Sequence, residues 1–162
     1  MIFLRDFNDG DEHLLVEHLN NKNVARYLSA RIPQPYTMED ATWWVNEGSK
    51  VGIVKAIVVR NQLIGCSGTV IGKFERDKSA DIGYWIAESY WRKGIATKAL
   101  AQLTEYIFNN TDLVRLCAPV FANNINSMRV LEKCGYKLEA ILEKAIFKNG
   151  EYLNEYLFAK VK

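Results

Sequence analysis

Apolar residues along this chain recur with two different periods, and each change of period marks a change of element. Between Ile82 and Ala87, aromatic and β-branched residues crowd together, which predicts a buried strand. From Ile95 the spacing changes. Ile95, Ala96, Ala99, Leu100, Leu103, Tyr106 and Ile107 fall three and four apart, which predicts a helix with one apolar face running to Asn109. The residues between, Glu88 to Gly94, are polar and close on glycine, which predicts a tight loop.

The same reading covers the rest of the chain. Ile2–Arg5 is a short strand, and Asn8, Asp9 and Asp11 are turn and cap residues. Leu14, Leu15, His18 and Leu19 repeat at helical spacing, and 21–27 gives a second short helix. Two prolines make 31–36 a loop. Thr37 followed three residues on by Asp40 is a helix start, and Trp43, Trp44 and Val45 lie on that helix. Residues 52–60 and 63–71 pair as a hairpin about Asn61-Gln62, and 73–78 is a polar turn before the strand 79–87. Leu113–Phe121 is strand-like, 127–133 is a helix stopped at Gly135, and 136–147 and 152–161 form a hairpin about Asn149-Gly150. The fold predicted is α/β, with a mixed, mostly antiparallel sheet and helices on both faces. The strands flanking the 97–109 helix are expected to be parallel. No repeat or linker interrupts 1–162, which is expected to be one domain.

The loop carries the first candidate chemistry. It brings Arg92, Lys93 and Gly94 to the first turn of a helix, where peptide N–H groups are unpaired and the helix dipole is positive. Glycine lets an anion approach the main chain. Two readings stay open on the loop alone: a phosphate cradle built from main chain, and an ordinary strand-to-helix connection with a solvated basic turn. Neither G-x-x-x-x-G-K-[ST] nor G-x-G-x-x-G occurs here.

Arg92-Lys93-Gly94-Ile95-Ala96 resembles the acetyl-CoA loop of the GNAT N-acetyltransferases, in which Gln or Arg is followed by two residues, Gly, one residue, then Gly or Ala. Gly94 and Ala96 match, while Trp91 departs from the Gln or Arg. A Trp there, after Ile82-Gly83-Tyr84-Trp85, resembles the RimJ/RimL-like branch, which includes ribosomal-protein N-terminal alanine acetyltransferases. A second stretch resembles the same family: Asn124, Ser127, Val130, Leu131, Glu132, Lys133 and Gly135, with Tyr136 in place of Phe. Taken alone, Asn124 and Ser127 are also ordinary helix caps. Two motifs in the right order with a strand between them make coincidence unreasonable.

The resemblance implies a GNAT-type sheet whose parallel strand pair splays apart, with acetyl-CoA between the strands as co-substrate. It implies transfer of an acetyl group from the thioester to a primary amine by direct attack. Backbone groups of Trp85 and Ile86 would hold the pantetheine arm. The main chain of Arg92, Lys93, Gly94, Ile95, Ala96 and Thr97 would hold the pyrophosphate. Asn124 would bind the arm, and Ser127 would be the acid or the donor on the thiol side. Many relatives carry a tyrosine acid seven residues after that asparagine, where this chain has Leu131. Asp81 is the candidate base, with a charged strand end as its equal alternative; Glu88 and Tyr84 are weaker candidates. Val24–Leu28 and Pro35–Ala41 resemble the branch's acceptor segment, which implies that Tyr27, Arg31 and Tyr36 line the acceptor side.

Composition narrows the class. A net charge of +2 is too small to argue for nucleic acid or an acidic membrane surface, and no apolar run reaches the ~20 residues of a membrane span. The start of the chain lacks a signal-peptide pattern, so a cytoplasmic location is expected. Cys66, Cys117 and Cys134 are odd in number and unpaired by motif, which fits free thiols in a reducing compartment. His13 and His18 have no clustered partners, and no metal or redox cofactor is implied. Three functions remain: acetylation of a protein or peptide N-terminus, acetylation of a small amine such as a polyamine, aminoglycoside or amino acid, and a non-catalytic acyl-CoA-binding module. Monomer and homodimer are both open.

Overall fold

A computed structural model describes residues 1–162. In chain order its elements are β1 (Ile2–Arg5), α1 (Glu12–Leu19), α2 (Lys22–Ala25), α3 (Met38–Asn46), β2 (Val54–Val59), β3 (Gln62–Ile71), β4 (Ser79–Ile86), α4 (Ile95–Asn110), β5 (Arg115–Phe121), α5 (Ile125–Lys133), β6 (Lys137–Lys148) and β7 (Glu151–Val161). The seven strands form one sheet in the order β1-β2-β3-β4-β5-β7-β6. Every pairing is antiparallel except β4 with β5.

That exception shapes the molecule. β4 and β5 pair over only three positions, Ser79 with Arg115, Ala80 with Leu116 and Asp81 with Cys117. Past Asp81 the two strands part. β4 stays on β3 as far as Ile86, and β5 stays on β7 as far as Phe121. A sheet that is continuous at one end is therefore split by a wedge at the other.

Helices cover both faces because strand residues alternate between them. On one face Ala80, Ile82, Leu116, Ala118 and Val120 pack against Leu100, Leu103 and Ile107 of α4 and Leu131 of α5. The opposite face carries Ala56, Val58, Leu63 and Cys66 under Leu15, Leu19, Ala41 and Val45 of α1 and α3. Local sequence sets the element ends. Thr37 and Asp40 form a reciprocal capping box that starts α3. Asn149 and Gly150 both have positive φ, 52° and 79°, as a tight hairpin turn requires.

Several boundaries differ from the sequence pattern, and three have a local cause. α5 begins at Ile125 rather than Ser127, because the Asn124 side chain takes the Ser127 N–H and caps the helix there. The β2–β3 turn lies on Arg60 and Asn61, both at positive φ, so Gln62 is already in the strand. β2 starts at Val54, since Ile53 gives its N–H to the Thr69 hydroxyl instead of to the ladder. No helix is long and apolar enough to cross a membrane.

Candidate active site

Main-chain groups of β4 face β3 or β5 by turns. The Ser79 carbonyl accepts from Gly72 N–H, and the Ala87 N–H donates to Ile64, whereas the Lys78 carbonyl accepts from Val114. Odd-numbered residues of β4 thus spend their main chain on β3, and even-numbered residues turn theirs toward β5. Beyond the bridge at Asp81 there is no β5 to meet, so Tyr84 and Ile86 face the wedge. The Ile86 carbonyl is then taken by the Trp91 indole N–H at 2.7 Å. Of the pair Trp85 and Ile86, only Ile86 turns main chain to the wedge. Trp85 sits opposite Cys66 in the β3 ladder, and its ring packs on the α1–α3 side, 6.3 Å from the His18 ring.

The wedge opens toward the start of α4. Arg92 and Gly94 both lie in the left-handed region, with φ of 61° and 70°. The N–H groups of Arg92, Lys93, Gly94, Ile95, Ala96 and Thr97 donate to no protein acceptor, and the first amide of this helix to do so is that of Lys98, to the Gly94 carbonyl. Arg92, Lys93 and Gly94 are exposed, and a Cβ built on Gly94 would meet nothing within 4 Å. Lys93 is held in place by its bond to the Ser89 carbonyl (2.7 Å) and lies 5.1 Å from the centre of the Tyr90 ring. Six free donors, a positive helix end and two basic side chains suit a diphosphate. The donor set therefore fits the carrier that the loop motif implies.

The start of α5 forms the other side. Asn124 uses its side-chain oxygen as the cap, and its amide NH₂ donates to nothing in the chain. Ser127 is half-buried, and its Oγ lies 2.8 Å from the Tyr84 hydroxyl. Burial pushes the Tyr84 phenol up to about 12, only partly offset by that hydrogen bond. Leu131 is buried in the core, so α5 offers no phenol of its own. The Cys134 thiol donates to the Thr97 carbonyl at 3.3 Å and ties the end of α5 to the start of α4.

On the face covered by α1–α3, Asp81 is exposed and makes no ion pair. Glu155 on β7 stands on the same face, since its neighbours Tyr156 and Phe158 point to the α4–α5 core. Burial first, then the charge of Asp81, holds the Glu155 carboxyl above its ordinary range. The sequence reading missed Glu155. The alternation of β7 about Phe158 carried the signal, but nothing marked which strands become neighbours. Glu88, a weaker base candidate, is spent elsewhere: its carboxylate accepts from Asn21 and Asn23, both at 2.7 Å, and pins α2 to the loop.

The three residues expected on the acceptor side differ in exposure. Tyr27 is half-buried with the Arg26 guanidinium 4.9 Å from its ring centre. Arg31 is exposed. Tyr36 is only 6% exposed and packs inside the α1–α3 core, its main chain clamped on both sides by the Asn20 side chain. Burial, then the charge of Asp40, pushes its phenol up to about 12. Lys148, from the β6–β7 hairpin, donates to the Arg26 and Leu28 carbonyls and ties this segment to the hairpin.

Residues 2–137 match the family model of the acetyltransferase (GNAT) domain, and the chain belongs to that family. It is therefore an N-acetyltransferase, with acetyl-CoA as acyl donor, and not a non-catalytic acyl-CoA binder. It is 28% identical over 159 residues to the uncharacterized N-acetyltransferase YnaD of Bacillus subtilis, covering 98% of this chain and 92% of that protein. The L-amino acid N-acetyltransferase AaaT of Escherichia coli is 26% identical over 141 residues, 82% of this chain and 81% of that one. The ribosomal-protein-serine acetyltransferase of Escherichia coli is 33% identical over 85 residues, 52% of this chain and 48% of that one. Among solved structures, a GNAT-family acetyltransferase from Bacillus anthracis superposes with a TM-score of 0.85 at 26% identity, over 99% of this chain and 94% of that one.

Proposed function

We propose that this enzyme acetylates the α-amine of a protein or peptide N-terminus, with the diphosphate of acetyl-CoA on the amides of Arg92 to Thr97. The observation that carries the donor half is the run of six peptide N–H groups without an acceptor at the mouth of a split sheet. The acceptor half is supported by the likeness to the ribosomal-protein-serine acetyltransferase.

Acetyl-CoA supplies an activated acyl group: the amine nitrogen bonds the carbonyl carbon, the carbon–sulfur bond breaks, and its electron pair leaves with sulfur. The chain has four tasks around that exchange. Arg92 to Thr97 fix the diphosphate. The Ile86 N–H, turned to the wedge where β5 has parted from β4, donates to the thioester oxygen, where negative charge grows. Asp81, directly or through water, takes the proton that an ammonium must lose before it attacks. Ser127 donates to the departing sulfur, and the Asn124 amide holds the arm beside it. Orientation of the two reactants in one wedge supplies the remainder.

One observation favours a second reading, a small amine such as an amino acid as acceptor. AaaT matches over 82% of this chain, against 52% for the ribosomal-protein enzyme. Release of free thiol from acetyl-CoA, measured across N-terminal peptides, amino acids, polyamines and aminoglycosides, separates the two. Peptides turned over at least ~10-fold faster than any small amine support the first reading. A free amino acid as the best substrate would replace it with the second.

A further inference from the structure

Tyr84 and Ser127 come from different elements, β4 and the first turn of α5, and their hydroxyls meet at 2.8 Å beside the wedge. Each hydroxyl carries one hydrogen and can accept two. The short contact uses one of the two hydrogens, and the question is which. Tyr84 has two acceptors in reach, the Ser127 Oγ at 2.8 Å and the Ser127 carbonyl at 3.5 Å. If Ser127 donated, the Tyr84 hydrogen would be left with the 3.5 Å contact, too long for a good bond. If Tyr84 donates, its hydrogen is satisfied in full, and the Ser127 hydrogen is free. No acceptor within the chain takes that hydrogen other than the phenol itself. The phenol is well buried and stays protonated, so it keeps a hydrogen to give.

We infer that Tyr84 is a positioning residue, which occupies one lone pair of Ser127 and thereby aims the Ser127 hydrogen at the sulfur of the acyl carrier. This rests on the role proposed above for Ser127 and extends it to a residue that the two sequence motifs do not assign. It also accounts for the buried Leu131. A phenol on α5 is not needed where β4 sends one in from the other side of the wedge. No proton moves through the pair. Sulfur leaves as a thiolate, the Ser127 hydrogen bonds to it, and solvent later protonates it. A phenol held at about 12 is too weak an acid to protonate a thiolate whose ordinary pKa is near 8.5.

The test uses the enzyme bound to CoA itself, with the thiolate absorbance of the bound carrier followed against pH. In the unaltered protein the bound thiol titrates below the free thiol. Ser127→Ala raises that value, Tyr84→Phe raises it by at least half as much, and the double variant rises no further than Ser127→Ala alone. The rate of acetyl transfer falls in the same pattern, ~5-fold or more for each single variant, with little change in the KM for acetyl-CoA. Tyr84→Phe keeps the ring, and thermal midpoints within a few degrees of the parent show that packing is intact. A bound-thiol titration unmoved by Tyr84→Phe, while Ser127→Ala shifts it, overturns the inference and leaves the Ser127 role standing. Additive shifts overturn it as well, since the two groups would then act separately. If Ser127→Ala itself moves nothing, the Ser127 role fails, and the inference with it.

Discussion

Asp81 and Cys117 are the last residues at which β4 and β5 lie side by side, and everything proposed for this enzyme happens just beyond them. Two residues further along β4, Gly83 is exposed on the face that carries Asp81, and a Cβ there meets nothing within 4 Å. Its partner in β3, Gly68, is different: a Cβ on it would sit 2.9 Å from the Val54 side chain. Packing thus demands glycine at 68 and not at 83. Gly83→Leu is expected to leave the thermal midpoint within a few degrees while filling the trough beside the wedge. Transfer to the amine should fall ~10-fold or more, equivalent to ~1.4 kcal/mol, with calorimetric binding of acetyl-CoA little changed. Undiminished kcat/KM for every acceptor would show that the amine enters elsewhere.

Gly94→Asp places a carboxylate where a diphosphate is expected and holds a side chain at a φ of 70°. The backbone cost is about 1 kcal/mol, which a folded domain tolerates. Affinity for acetyl-CoA should drop by more than ~100-fold, about 2.7 kcal/mol, by isothermal calorimetry. Gly94→Ala shares the strain without the charge and is expected to lose less. Equal losses in the two variants would mean that the conformation of the loop, not its charge, decides binding.

Trp91 stands where the loop motif of relatives has Gln or Arg, and here its indole N–H holds the Ile86 carbonyl at 2.7 Å. The ring packs against both the α1–α3 core and the smaller cluster of Ile57, Ile64, Ile86, Ile95 and Ala99. Trp91→Phe keeps most of the apolar contact and removes the donor, at a cost of about 1 kcal/mol. The KM for acetyl-CoA should rise ~3- to 10-fold, because the released carbonyl then competes for the Ile86 edge of the wedge. Kinetics identical to the parent would assign the bond to folding alone.

Asp11 controls acid stability at a distance from the site. Arg5 donates twice to its carboxylate, at 2.7 and 2.8 Å, and the Asn8 N–H adds a third bond at 2.9 Å. Burial is the largest single influence and raises the Asp11 pKa, but the Arg5 hydrogen bonds, the Asn8 amide and the Arg5 charge together outweigh it and hold the carboxyl below its ordinary range. A depressed folded pKa contributes stability that is present above the unfolded value, near 3.9, and lost as pH falls through the folded one. Arg5→Ala leaves that carboxylate buried and unpaired, and should cost about 1–3 kcal/mol at neutral pH. Urea midpoints of parent and variant should converge below about pH 4. A gap that widens on acidification would be the wrong sign.

Local patterns along the chain decided most of the elements and marked the loop proposed to hold the acyl carrier. Periodicity placed the helix beginning at Ile95, the cap at Thr37 and the hairpin at Asn149-Gly150, because each is decided by residues within a turn or two of one another. The amide cradle was legible for the same reason: Arg92 to Thr97 are contiguous, and a glycine before an apolar helix announces free donors. Tertiary structure decided the rest, since these contacts join residues far apart in the chain. The wedge exists because β4–β5 pairing stops at Asp81, and strand register is not written in either strand alone. Tyr84 is only a weaker candidate base in the sequence, and its partner, Ser127, lies 43 positions away and 2.8 Å from it only in the fold. Tyr36, expected on the acceptor side, is buried because α1 and α3 close over it. Glu155 acquired its raised pKa only when the assembled sheet buried it and, secondarily, set it near Asp81. Short-range hydrogen bonding and apolar spacing are properties of a segment; burial, facing partners and the field of a neighbouring charge belong to the assembled sheet.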